Sequence, residues 1–145
     1  MPTRTARTAW NGSLDAGSGQ VELTSSMAGT YDVSFPKRTA DEAGGTTSPE
    51  ELIAAAHSAC FAMSLSGAVA KAGGTPQSLE VTADVSLGRD PAGGSRLTGI
   101  ALKVVGEVDG LDEEAFVKAA AEAEAGCPVS KALTGVEITL DASLT

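Results

Sequence analysis

Aromatic residues make up only 3% of this 145-residue chain, and Lys and Arg number 10 against 19 acidic residues, with no basic cluster anywhere. The formal charge of −9 repels phosphate backbones, and so few rings leave little for stacking on bases. Nucleic acid is therefore excluded as a partner, and an anionic membrane surface is disfavoured by the same charge. Histidine occurs once and cysteine twice, too few for the disulfide framework of a small secreted scaffold. No continuous apolar stretch follows Met1-Pro-Thr-Arg-Thr-Ala-Arg7, so no signal peptide is visible. The expected location is cytoplasmic, where thiols stay reduced unless they react. Internal repeats and long charge runs are also missing. One segment, Leu52 to Ala70, carries no formal charge, but it is mostly Ala and Ser with His57 in its middle. That falls short of a membrane-spanning helix and reads as a buried one, so no membrane association is expected.

A chain of this length suits one domain, here residues 1–145, with a sizeable core. Arg4–Leu14, Gln20–Thr24 and Thr30–Phe35 carry β-type residues separated by glycine-containing turns, which predicts three short strands. Lys37–Thr47 is polar and glycine-rich and reads as a loop. Ser48, Pro49 and Glu51 form the N-terminal signature of a helix, a Ser-x-x-Glu capping box with Pro at the first position. That helix runs to about Ala72, stopped by Gly73-Gly74. Apolar residues surround it almost completely, which calls for cover on most sides.

Leu79–Leu87 alternates with period two, Asp90–Gly94 is a turn, and Leu97–Val108 is a second strand with Ile100, Leu102, Val104 and Val108 on one face. Asp112 caps a helix through Glu124, with Leu111, Ala115, Phe116, Ala119 and Ala123 inward. Pro128 opens a short helix ending at Gly135, and Val136–Ala142 alternates as the last strand. The order βββ-α-ββ-αα-β describes an α+β fold, with mostly antiparallel sheets packed around a long central helix.

The two cysteines occupy different settings. Cys60 lies deep in the long helix, beyond the reach of its N-terminal dipole, so it needs a facing cation to become a thiolate. Arg38 in the preceding loop is the best-placed cation, and His57 sits one turn from Cys60 on the same face. Without such help Cys60 is a small core residue. Cys127, in Gly126-Cys127-Pro128-Val129-Ser130, precedes a helix start whose free N–H groups favour thiolate. If the fold brings the two together, thiol–disulfide chemistry is the natural use.

Four collinear blocks carry a specific resemblance: Thr47-Ser48-Pro49-Glu50-Glu51-Leu52 with Ala56-His57-Ser58-Ala59-Cys60-Phe61, Thr82–Leu87, Ala125–Ser130, and Glu137–Asp141. From about Trp10 to the C-terminus the sequence resembles the OsmC/Ohr family of thiol peroxidases. It is closer to the osmotically inducible OsmC branch, because it lacks the N-terminal Gly-Gly-Arg turn of the Ohr pattern. The resemblance implies a peroxidatic Cys60, a resolving Cys127, an activating Arg38 and a Glu50 that holds that Arg. The stretch between Arg38 and Glu50 is slightly longer than usual, which leaves Lys37 as an alternative to Arg38. It further implies an intertwined homodimer, a hydroperoxide substrate, an external dithiol reductant, and no cofactor or metal.

A homodimer also follows from helix geometry. Glu50 and Cys60 are ten residues apart on one helix, about 15 Å along its axis. An Arg bound to Glu50 does not easily touch Cys60 of the same helix, whereas two helices packed antiparallel bring Glu50 of one chain to Cys60 of the other. Phe35, Leu52, Ile53, Phe61, Met63 and Phe116 are candidates for an apolar pocket that favours organic hydroperoxides, and each is also explained as core. The alternatives are a redox sensor that oxidises without turnover, a zinc site using His57, Cys60, Cys127 and a carboxylate, and a cysteine hydrolase with His57 as base.

Overall fold

The N-terminal β-type residues form an antiparallel meander of β1 (Arg7–Asn11), β2 (Ser18–Glu22) and β3 (Thr30–Val33), in the order β1-β2-β3. The computed structural model describes Met1–Thr145, and the chain divides into two compact units, Met1–Leu52 and Ile53–Thr145. In the first unit, each strand is shorter than or offset from its expected span. β3 stops at Val33 because Ser34 turns the chain: its hydroxyl accepts from the Lys37 N–H and caps α1 (Phe35–Arg38), with Pro36 in the first turn. The segment expected to be all strand and loop thus contains one short helix, signalled by a Ser cap followed by Pro.

Helix α2 (Pro49–Lys71) begins within the first unit and continues through the second. The Ser48 hydroxyl accepts from the Glu51 N–H at 3.1 Å, as a capping box requires. The reciprocal arm differs: the Glu51 carboxylate accepts from the Thr47 hydroxyl instead. At the other end the helix gives way to Gly73, whose φ of +93° suits glycine, and the Gly74 N–H reaches back to the Val69 carbonyl.

Burial along α2 is confined to one stripe. His57, Phe61, Leu65 and Val69, at four-residue spacing, are buried, while Ala56, Ala59, Met63, Gly67 and Ala70 are exposed. Met63 keeps 73% of its surface in solvent. The helix expected to be covered on most sides is covered by its own chain on one side only. By length and composition α2 is apolar enough to cross a membrane. Its stripe packs within the protein, however, and contains a fully buried His57.

In the second unit, β4 (Thr75–Arg89) and β5 (Ser95–Asp109) form a long antiparallel hairpin. Gly93 and Gly94 take positive φ in its turn, and the Asp90 carboxylate accepts from the Ala92 N–H. β6 (Ile138–Leu144) then pairs with β5 in parallel, giving the order β4-β5-β6. Three of the four strand pairings are antiparallel, in line with mostly antiparallel sheets, and β5–β6 is the parallel exception. A parallel neighbour needs a crossover, supplied by α3 (Glu113–Gly126) and α4 (Pro128–Ala132). Asp112 caps α3 through the Ala115 N–H at 2.9 Å.

The core of this unit joins Phe61, Leu65 and Val69 of α2 to Ile100, Leu102 and Val104 of β5 and to Phe116, Ala119, Ala120 and Ala123 of α3. Phe116 lies over Gly106, where an added Cβ would stand 2.7 Å from the ring Cζ. Because Phe116 is itself fully buried, it has nowhere to retreat. Gly106→Ala is expected to destabilise the protein by about 1–3 kcal/mol, read as a fall in urea midpoint at unchanged slope.

Candidate active site

Within the Ile53–Thr145 unit the two cysteines meet. Cys60 comes from α2, and Cys127 from the single residue that ends α3 and caps α4. Their sulfurs lie 3.2 Å apart and both are free thiols. A disulfide requires about 2.05 Å, so little movement separates the dithiol from the bonded pair. Cys127 is fully buried, whereas Cys60 is partly accessible. Of the two, Cys60 is the thiol that solvent reaches.

The two thiols are tuned in opposite directions. Burial pushes Cys60 up, only partly opposed by the Val129 N–H and the Ser64 hydroxyl, and its neighbour Cys127 pushes it further. Burial would raise Cys127 as well, but the N–H groups of Ser130 and Val129, the Ser130 hydroxyl and the Cys60 thiol bring it below the ordinary cysteine value. The Cys127 side chain makes no capping hydrogen bond in α4. No cation is among the groups acting on Cys60 within this unit. His57, the nearby candidate, does not fill that role: it is fully buried, its Nε2 is 2.7 Å from the Ser130 Oγ, and burial lowers its pKa against the opposing pull of Glu124.

Ser130 was not singled out from the sequence. The only sign of it is its place three residues after Cys127 in the Gly-Cys-Pro-Val-Ser block, where a helical turn returns a side chain to the cap.

Within Met1–Leu52, Arg38 and Glu50 form the second expected pair. Arg38 Nη2 is 2.6 Å from Glu50 Oε1, and Arg38 Nε is 3.1 Å from both carboxylate oxygens. Burial alone would raise the Glu50 carboxyl, but the guanidinium and the Ser48 hydroxyl hold it below its ordinary value. Arg38, not Lys37, makes this contact. The loop between them is spanned because α1 carries Arg38 in its last turn and Glu50 stands in the first turn of α2.

Arg38 also borders an apolar cavity of about 440 Å³ whose wall includes Trp10, Leu14, Val21, Phe35 and Leu52. Of the residues that could be either pocket wall or core, Phe35 and Leu52 line this cavity. Phe61 and Phe116 do not: both are fully buried core residues, and Met63 is exposed. No group of three His, Cys, Asp or Glu side chains converges as a metal site, and the zinc alternative lacks a third ligand.

The family described as OsmC-like protein matches residues 41–141. The chain is 45% identical over 135 residues to Peroxiredoxin OsmC of Escherichia coli (strain K12), covering 93% of this chain and 92% of that protein. It is 41% identical over 97 residues to organic hydroperoxide resistance protein OhrA of Bacillus subtilis (strain 168), covering 66% of each. The similarity to the OsmC protein therefore extends further along the chain. Among solved structures, an organic hydroperoxide resistance protein OsmC from Legionella pneumophila superimposes with a TM-score of 0.76 at 28% identity, covering 99% of both chains. OhrB of Bacillus subtilis gives 0.74 at 28% identity, covering 96% of this chain and 98% of that one. The dithiol therefore sits in a recognised frame: this chain is a member of the OsmC-like family.

Proposed function

We propose that this protein is a thiol-dependent peroxidase that reduces hydroperoxides, organic ones ahead of hydrogen peroxide, in the cytoplasm. The observation that carries the reading is the 3.2 Å approach of Cys60 to Cys127, one thiol accessible and the other enclosed. The names of the relatives, a peroxiredoxin and organic hydroperoxide resistance proteins, support it.

Cys60 attacks the distal oxygen of the hydroperoxide, becomes a sulfenic acid and releases water or an alcohol. Cys127 then attacks the Cys60 sulfur, a disulfide forms, and an external dithiol reduces it by exchange. The cation that Cys60 lacks within its own unit is supplied by the partner subunit's Arg38 in a homodimer. Two observations support this. The apolar stripe Ala56, Ala59, Met63, Gly67 and Ala70 is exposed in the single chain and is suited to burial against a second copy. Glu50, which holds Arg38, also lies about 15 Å from Cys60 along α2, a separation that antiparallel pairing of two such helices closes. Arg38 stabilises the attacking thiolate and the charge developing on the leaving oxygen. The 440 Å³ apolar cavity beside Arg38 favours a hydrocarbon-bearing substrate.

Reduced protein treated with one equivalent of cumene hydroperoxide, thiol-blocked and mapped by peptide mass spectrometry is expected to yield a Cys60–Cys127 disulfide within one chain. Cys60→Ser is expected to yield none and to abolish dithiol-driven turnover. Two free thiols in the treated wild type would reject the reading, and a disulfide without turnover would make the protein a sensor instead.

A further inference from the structure

The proposed cycle closes with an exchange between an external dithiol and the Cys60–Cys127 disulfide, and the two sulfurs of that bond differ in access. Cys127 has no solvent exposure and belongs to the same buried cluster as Phe61, Leu65, Phe116, Ala120 and Ala123. Cys60 is only partly buried and packs against that cluster. Nor is Cys127 free to turn outward. Its N–H donates to the Glu124 carbonyl at 3.2 Å and its carbonyl accepts from the Lys131 N–H at 3.0 Å. Its backbone is therefore tied to α3 on one side and to α4 on the other, and Pro128 stiffens the step between them. Closing the sulfur–sulfur distance from 3.2 Å to about 2.05 Å is too small a movement to bring Cys127 to the surface.

We infer that the reductant attacks the Cys60 sulfur alone, so that Cys127 is the leaving thiol and never meets a molecule from outside the protein. This rests on the peroxidase reading and adds to it the direction of the regenerating step. An attack on Cys127 has to come through the close-packed interior, whereas an attack on Cys60 starts from solvent. Cys60 is then the sulfur that receives both substrates, hydroperoxide in the reduced protein and dithiol in the oxidised one. Cys127 works as an internal relay between the two.

The step balances with the dithiol as its only reagent. One thiolate of the dithiol attacks the Cys60 sulfur, a mixed disulfide forms on Cys60, and the Cys60–Cys127 bond breaks. Cys127 departs with the electron pair and takes up a proton. The second thiolate of the dithiol then attacks the dithiol's own first sulfur, the bond to Cys60 breaks, and Cys60 leaves as thiolate. The protein has gained two electrons and the dithiol has become a cyclic disulfide. A single thiol has no such second attack, and the freed Cys127, still beside Cys60, expels it again. Leaving-group chemistry favours the same direction. Cys127 is the thiol held below the ordinary cysteine value and Cys60 the one pushed above it, and the more acidic thiol leaves faster.

Two measurements test the assignment, and neither needs a peroxide because the disulfide is formed with diamide. In the first, oxidised protein is mixed with excess 2-mercaptoethanol, stopped in acid at successive times, and mapped by peptide mass spectrometry. In folded protein the mixed disulfide is expected on Cys60 in at least about tenfold excess over Cys127, and in urea, where both sulfurs are open, on both. A smaller excess in the folded protein would overturn the inference. In the second, each thiol is examined alone as it attacks 4,4′-dithiodipyridine, folded and in urea. Cys60 in Cys127→Ser is expected to react within about tenfold of its rate in urea. Cys127 in Cys60→Ser is expected to lag its rate in urea by more than about 10²-fold, because it waits for a local opening. Protection of the two thiols to within about tenfold of each other would overturn the inference, and this ratio decides where the first adduct is too short-lived to accumulate. If cumene hydroperoxide fails to oxidise the protein, the peroxidase reading falls, while the exchange measurements stand or fall by themselves.

Discussion

Arg38→Ala is expected to lower the second-order rate of Cys60 oxidation by an organic hydroperoxide by about 10²–10³-fold, the usual cost of removing one preorganised electrostatic partner from a reacting centre. The expectation follows from what surrounds each thiol. Cys60 has burial and a neighbouring sulfur against its ionisation and no cation within its unit. Arg38 has a single ion-pair partner, Glu50, which accepts from its Nε and one Nη. Its remaining guanidinium N–H groups stay available to a sulfur and a peroxide oxygen. Stopped-flow oxidation of reduced protein under excess cumene hydroperoxide measures the rate directly. Arg38→Lys is expected to recover only part of it, since an ammonium cannot grip Glu50 and present a fork of donors together. A wild-type rate in Arg38→Ala would remove Arg38 from the mechanism.

The pH behaviour of this ion pair has a defined sign. The Glu50 carboxyl lies below its unfolded value, so the stabilisation from the pair is fully present above the ordinary carboxylate range and is lost only as pH falls through the depressed folded value. Activity that depends on an oriented Arg38 should therefore persist into mildly acidic buffer.

Phe61→Ala carries the second large effect, about 3–5 kcal/mol of lost stability. Phe61 is fully buried next to Cys60 on α2 and packs in the cluster that includes Leu102, Val104 and Phe116. Removing its ring leaves a void that a close-packed interior closes only partly. A domain holds about 5–15 kcal/mol in all, so the variant should spend a large share of its margin, with a much lower urea midpoint. Loss of activity without loss of stability would instead place Phe61 in a substrate pocket.

That contrast marks what was legible in the chain. Helix α2, its Ser48 cap and its Gly73 stop were readable because local chemistry sets them, as were the alternating strands β4 and β5. The neighbourhood of Cys60 and Cys127, and of Arg38 and Glu50, followed from the family resemblance rather than from spacing. Three things were not readable. Phe61 and Phe116 look the same as core or as pocket wall until their neighbours are known. The short helix α1 hid at the junction of a strand-like run and a polar loop because four residues are too few to show a period. Ser130 was invisible as a site residue because its partner His57 is far along the chain, and no local signal announces a long-range hydrogen bond.

The parallel pairing of β6 bears on the order in which the protein is assembled. β4 and β5 are neighbours in sequence and zip together locally, whereas β6 docks only after α3 and α4 have carried the chain back across. Cys127 travels in that crossover. It takes its place beside Cys60 only when that crossover closes, so a chain that has not yet formed it holds two separated thiols and no couple. The 3.2 Å approach of the two sulfurs is thus a product of the closed fold rather than of any local segment.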